Sequence, residues 1–213
     1  MKLILFFHFL FVLKLVYGTF TIMKGDQDFW NQRWIDENTG WDLGIASPPI
    51  ALFINGMKDF SLKILIPGAG NAYEVDYLLK KGFTNITVVD ISPYLIDKLK
   101  AKYINENRVR LIAGDFFDLE GQFDLIIEQT FFCALNPFLR KDYVIKMEQL
   151  LSDNGYLVGL LFDREFISGP PYGGQKSEYI KLFSKYLSII KMDKCETSYP
   201  ARLGAELWFE CKK

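Results

Sequence analysis

The stretch Leu62-Lys63-Ile64-Leu65-Ile66-Pro67-Gly68-Ala69-Gly70-Asn71 constrains this chain more than any other. Its short apolar run reads as a strand buried on both faces. A Gly-x-Gly turn leading from such a strand into a helix exposes backbone that a ligand can approach closely. The same alternation continues downstream. Ala72 to Lys81 reads as a helix stopped by Gly82, Ile86 to Asp90 as a second strand, and Ser92-Pro93 opens a helix carrying Leu95, Ile96 and Leu99. Val109 to Ile112 and Phe123 to Glu128 are the third and fourth strands. Phe138 to Leu151 reads as a helix stopped by Asn154-Gly155, Tyr156 to Phe162 as a fifth strand, and Ser177 to Tyr186 as a helix. Strand candidates near Ile189 and from Ala205 to Cys211 follow. The pattern predicts an α/β fold in one doubly wound domain. Its seven-stranded sheet is mostly parallel, with helices on both faces and an antiparallel hairpin at the C-terminal edge.

Composition removes several functions. Half of the 213 residues are apolar and 24% are charged, with a formal net charge of −1, so no basic surplus is available for nucleic acid. Three cysteines (Cys133, Cys195, Cys211) include no CxxC pair, and His8 is the one histidine. Neither a zinc site nor a Ser-His-Asp triad can be assembled from these residues, and no metal is expected.

Upstream, Lys2 and the apolar run Leu3 to Leu13 resemble a secretory leader or a short anchor. The competing reading starts translation at Met23, making residues 1–22 an extension and 23–213 the domain. The second reading is preferred, with a cytoplasmic location; secretion or membrane anchoring through residues 1–22 is the alternative. From Asp26 as N-cap, Phe29, Trp30, Arg33 and Trp34 fall at helical spacing, and the helix is expected to stop near Thr39-Gly40. Ser47-Pro48-Pro49 then starts another helix through Phe53.

The chemistry gathers at the strand ends. A dinucleotide fingerprint needs a third glycine, and Tyr73 stands there, which counts against a nicotinamide-dependent oxidoreductase. Asp90 ends the second strand about twenty residues beyond the Gly turn, where a carboxylate accepts from both ribose hydroxyls. After the third strand, Gly114-Asp115-Phe116-Phe117 offers a carboxylate to hydrogen-bond adenine and an aromatic face to stack on it. The fourth strand brings Glu128 to the same edge. Strand ends in this order predict a Rossmann-like class I methyltransferase using S-adenosyl-L-methionine.

Several motifs resemble the thiopurine methyltransferase family: Phe29-Trp30-x-x-Arg33-Trp34, Thr39-Gly40-Trp41-Asp42-Leu43-Gly44, Ile66-Pro67-Gly68-Ala69-Gly70, Asp90-Ile91-Ser92, Gly114-Asp115-Phe116-Phe117 and Gly169-Pro170-Pro171-Tyr172. Glu128-Gln129-Thr130-Phe131-Phe132-Cys133-Ala134 looks closer to its halide and thiol methyltransferase branch. Thiopurine enzymes carry an arginine where Gln129 stands. The resemblance implies that Trp30, Trp34, Trp41, Gly68, Asp90, Asp115, Phe116 and Glu128 form the cofactor site. Indole faces attract a sulfonium cation by roughly 0.5–2 kcal/mol each, and a helix carrying them can close as a lid that excludes water.

Methyl transfer from a sulfonium releases a neutral thioether, so no acid is needed, and the protein has mainly to align the reacting groups. A soft anion such as thiolate, hydrosulfide, thiocyanate or halide needs no base when it arrives ionised, whereas a hydroxyl acceptor calls for one. A small-molecule oxygen or nitrogen acceptor is the second reading. Arg164 and Tyr172 are candidate acceptor contacts. So is Arg140, with pairing to Asp142 or Glu128 as its competing role. Cys133 reads as a small buried hydrophobe, not as a nucleophile.

Overall fold

A computed structural model of the chain describes residues 27–213. The apolar segment Met1 to Ile22, and Asp26 as an N-cap, lie outside these residues. Helix α1 spans 27–35. It ends earlier than Gly40 because Glu37 itself takes the left-handed conformation (φ +54°), letting Asn38 N donate to Arg33 O at 2.9 Å. Helix α2, Pro48–Gly56, starts on its proline pair.

The sheet and its helices follow in the expected alternation: β1 Ile64–Pro67, α3 Tyr73–Lys81, β2 Ile86–Asp90, α4 Pro93–Lys102, β3 Val109–Ala113 and β4 Phe123–Gln129, then α5 Arg140–Leu150, β5 Leu151–Phe162, α6 Lys176–Phe183, β6 Ser188–Lys194 and β7 Glu206–Lys212. The seven strands lie in the order β3-β2-β1-β4-β5-β7-β6, with β7 antiparallel to both β5 and β6. Gly82 closes α3 in the left-handed conformation, and Ser92 caps α4 by accepting from Leu95 N at 3.2 Å.

Besides the end of α1, the ends of α5 and α6 differ from the sequence expectation, α6 stopping at Phe183 and not at Tyr186. Helix α5 stops at Leu150, and Leu151, fully buried, is already paired with Phe123. Asn154 (φ +67°) and Gly155 turn the chain inside an irregular start to β5, where the register slips between Phe123 and Leu125. Burying Leu151 in the sheet outweighs the stop signal carried by Asn154-Gly155.

The core lies on both sides of the sheet, because successive side chains of a strand point to opposite faces. Ile64 and Ile66 of β1, with Leu125 and Ile127 of β4, pack beneath α2, α3 and α4. Leu65 and Ile126 face the other way, against Tyr143, Val144 and Met147 of α5 and Tyr179 and Phe183 of α6. The connections from β1 and β4 depart to opposite sides of the sheet, so a crevice opens at the carboxyl ends of these neighbouring strands.

Candidate active site

Over that crevice lies a cavity of about 480 Å³, within the usual range for a small-molecule site. Its floor is the turn after β1, where Gly68 (φ +60°) and Gly70 (φ +54°) adopt conformations that side chains resist. A Cβ on Gly68 would fall 2.6 Å from the Phe131 ring, so only glycine leaves that ring in place.

Asp90 reaches the cavity from the end of β2, and its Oδ1 accepts from Ser92 N at 2.9 Å. Loss of water around the carboxyl pushes its pKa up to about 6, against the lowering effect of the Ser92 N–H. Asp115, at the end of β3, accepts from Phe117 N at 2.8 Å and starts a 3₁₀ turn over Phe116–Asp118. Phe116, only 4% exposed, packs edge-to-face on Phe117 and Phe131.

The opposite wall is built by α1 and the segment after it. The Trp41 ring stands edge-on to Trp30 at 5.4 Å and to Trp34 at 5.7 Å between centroids. Asn31 Oδ1 ties α1 to the start of α4, accepting from Ser92 Oγ at 2.6 Å and Tyr94 N at 3.2 Å. Asp42 is held against the Gly turn by Asn71 and Tyr73.

Eight of the residues expected at the site meet around this cavity: Trp30, Trp34, Trp41, Gly68, Asp90, Asp115, Phe116 and Arg164. Three do not form its wall, and each has a physical reason. Glu128 is fully buried one layer below. Its Oε1 accepts from Phe131 N (2.8 Å) and Phe132 N (2.9 Å), and its Oε2 from Tyr143 OH (2.6 Å). Burial raises its pKa to about 7 although all three hydrogen bonds favour the charged form. Glu128 therefore shapes the turn that carries Phe131, and that ring lines the cavity. Arg140 pairs with neither Asp142 nor Glu128; its guanidinium lies over the Phe132 ring and donates to Gly173 O at 2.6 Å. The Tyr172 backbone N–H donates to Cys133 O at 2.7 Å. Arg140 and Tyr172 thus anchor the loop whose Pro170 and Pro171 do line the cavity.

Other lining residues had no site role in the sequence reading. Arg33 and Asp42 sit inside recognised motifs, but no spacing singles them out. Gln129 lines the cavity with a buried Oε1 that lacks a hydrogen-bond partner among the described residues. Arg202 comes from the turn between β6 and β7 and donates to Trp41 O at 2.7 Å. It also pairs with Glu206 at 3.3 Å. No local pattern announces it, because its partner Trp41 is distant in sequence. Cys133 is buried and its thiol is pushed far above the ordinary range, as expected of a small hydrophobe. No cluster of His, Cys, Asp and Glu suited to a metal occurs among the described residues.

This strand order, with a carboxylate ending β2 and a cavity over a Gly-x-Gly turn, defines a class I S-adenosylmethionine-dependent methyltransferase. The chain belongs to the thiopurine S-methyltransferase family, whose sequence model matches residues 25–206. It is 33% identical over 159 residues to probable thiol methyltransferase 2 of Arabidopsis thaliana, covering 72% of this chain and 70% of that protein. It is 25% identical over 203 residues to thiocyanate methyltransferase 1 of the same plant, covering 92% and 89%. With thiopurine S-methyltransferase of Acinetobacter baylyi it shares 26% identity over 189 residues, covering 76% and 85%. Among solved structures, 1,6-didemethyltoxoflavin-N1-methyltransferase of Burkholderia thailandensis, determined with S-adenosylhomocysteine, has the same fold. Its TM-score is 0.68 at 18% identity, covering 92% of this chain and 89% of that one. The residues present suit S-adenosylmethionine: a desolvated carboxylate for the ribose, glycine where the backbone must be approached, and indoles on the facing wall.

Proposed function

We propose that the chain methylates a small soft nucleophile that enters already ionised: a thiolate, hydrosulfide, thiocyanate or iodide. The observation that carries this reading is the cavity wall beyond β4 and β5. Phe131, Leu135, Leu139, Phe162 and Phe166 make it apolar, and Arg164 gives it positive charge, Arg202 being paired with Glu206. Cys133 lies in this wall and its raised thiol stays protonated at neutral pH, while Glu74, a lining carboxyl within electrostatic reach of Arg202, is buried and accepts from Ser47 N at 2.8 Å. Glu128 lies behind the wall with both oxygens engaged. A weakly hydrated anion gains from such a surface, whereas a hydroxyl acceptor would lack a base.

When bound, S-adenosylmethionine supplies an electrophilic methyl group on a sulfonium with a neutral thioether as leaving group. Asp90 would accept from the ribose hydroxyls and Asp115 from the adenine edge, with Phe116 against the base. Gly68 leaves room over the turn, while Trp30, Trp34 and Trp41 exclude water and offer aromatic surface to a cation. Arg164 draws the anion in, and Arg140 and Tyr172 hold the proline loop that closes its side. Orientation of two reactants in a dry cavity then accounts for most of the acceleration.

Cytoplasmic action suits the three free thiols of Cys133, Cys195 and Cys211. No helix among the described residues is long and apolar enough to cross a membrane. A start at Met23 is expected, and mass spectrometry of the native N-terminus tests it. The acceptor is tested by incubating the protein and S-adenosylmethionine with iodide, thiocyanate, hydrosulfide, an aromatic thiol and a thiopurine. Methylated thiol, thiocyanate or iodide is the expected product. Methylation of a phenol or amine, with none of these turned over, would overturn the acceptor reading and leave the methyltransferase.

A further inference from the structure

Arg33 is a cation whose place in the cavity the account above leaves unused. It lies on α1 between Trp30 and Trp34, and its guanidinium covers the Trp41 ring at 5.1 Å from the centroid. Its Nε is buried and has no hydrogen-bond partner among the described residues. A guanidinium nitrogen withdrawn from water normally has an acceptor. The other two cavity arginines are placed differently. Arg202 is engaged by Trp41 O and Glu206, and Arg164 lies over the Phe166 ring on the β5 side, 4.9 Å from its centroid.

Position identifies the missing acceptor. The outer ring of Trp34 lies 3.8 Å from where a Cβ of Gly70 would be, and Trp34 packs edge-on to Trp41. Arg33 is therefore linked to the Gly68–Gly70 turn through two indoles, Trp41 under its guanidinium and Trp34 beside Gly70. Asp90 and Asp115 mark the adenosine half of the cavity at the ends of β2 and β3. A ligand with its adenosine there turns its other end toward the β1 turn and the α1 wall. In S-adenosylmethionine that end is an amino acid, with a free α-carboxylate. A carboxylate is the planar, bidentate acceptor that a guanidinium fits best.

We propose that Arg33 binds the α-carboxylate of S-adenosylmethionine. The inference rests on the cofactor reading above and adds that the lid helix reads the amino-acid end of the cofactor. The resulting ion pair would join α1 to the bound cofactor.

Calorimetry with two ligands tests this. S-adenosylhomocysteine carries the amino-acid chain, and 5′-methylthioadenosine is the corresponding nucleoside thioether without it. In the full chain, Arg33→Met is expected to weaken S-adenosylhomocysteine by about 10- to 100-fold, the range for a charge-assisted hydrogen bond. Affinity for 5′-methylthioadenosine should stay within about twofold. Arg33→Lys should recover part of the loss, since it restores the charge without the fork. Equal weakening of both ligands would mean that Arg33 only supports the lid, and unchanged affinity for both would mean that it touches neither; either result overturns the proposal. So would a raised KM for thiocyanate with S-adenosylhomocysteine affinity intact, which would place Arg33 on the acceptor. Failure of the unsubstituted protein to bind either ligand would instead bring down the cofactor reading itself.

Discussion

Asp90 is less stable ionised in the fold than in water, and a nucleoside seated as proposed would relieve that cost. Its carboxyl titrates near 3.8 in an unfolded chain and near 6 in the fold. Between those values the folded state holds the extra proton. The stability contribution of Asp90 is therefore complete below about pH 4 and is lost as pH rises through about 6. With the cofactor placed as proposed, binding would run the opposite way, because ribose hydroxyls would donate to the ionised form. Calorimetry should show S-adenosylmethionine affinity level above neutral pH and falling about tenfold per unit below about pH 6. Asp90→Asn should remove that dependence and weaken binding, yet raise the melting temperature of the ligand-free protein above pH 6. The position of Asp90 at the cavity was legible because β2 runs Ile86-Thr87-Val88-Val89 into the acid as its last residue. That of Glu128 was not. Strand alternation puts it on the Ile126 side, where Tyr143 and two backbone N–H groups consume its oxygens. Glu128→Gln keeps one acceptor oxygen but turns an amide toward Tyr143 OH. Urea denaturation should record a loss of about 1–3 kcal/mol, and S-adenosylmethionine affinity should fall only as the Phe131 turn loosens.

At the scale of elements, the turn after β1 does the positioning. Its Gly68 stands at φ +60° with the Phe131 ring across the space a side chain would need. Gly68→Ala should displace that ring into the cavity, raising the dissociation constant for S-adenosylmethionine at least tenfold while thermal unfolding shows only a modest loss. Elements bounded by backbone chemistry were readable: β2 ends where its apolar run ends, and α3 stops at a left-handed Gly82. Elements whose ends depend on partners were not. Asn154-Gly155 looks like a helix stop, but Leu151 is drawn into the sheet opposite Phe123 first. Gly40 looks like the end of α1, but Glu37 takes the left-handed turn and Asn38 bonds back to Arg33. In the first case a contact with a distant strand decides the boundary, and in the second a residue other than glycine takes the left-handed turn.

Across the whole molecule, a sheet with a core on each face was legible from short apolar runs, Ile64-Leu65-Ile66 of β1, Val88-Val89 of β2 and Leu125-Ile126-Ile127 of β4, alternating with helices. The cavity was legible only in part. The side formed by Asp90 and Asp115 follows from strand ends, whereas its far side is assembled from the β5 end, the proline loop and the β6–β7 turn. Arg202 reaches Trp41 O across 161 positions of sequence, and no local pattern reports such a contact. That far side carries the central claim: the acceptor is ionised before it arrives, because no described group there serves as a base. The direct test is kcat/KM for the acceptor at saturating S-adenosylmethionine, followed across pH for iodide, thiocyanate and thiols of widely different acidity. The expected result is an acid limb that moves with the pKa of each thiol and is missing for iodide and thiocyanate. One limb at the same pH for every thiol, unmoved by the acceptor, would show that a protein base removes the proton and that the acceptor does not arrive ionised.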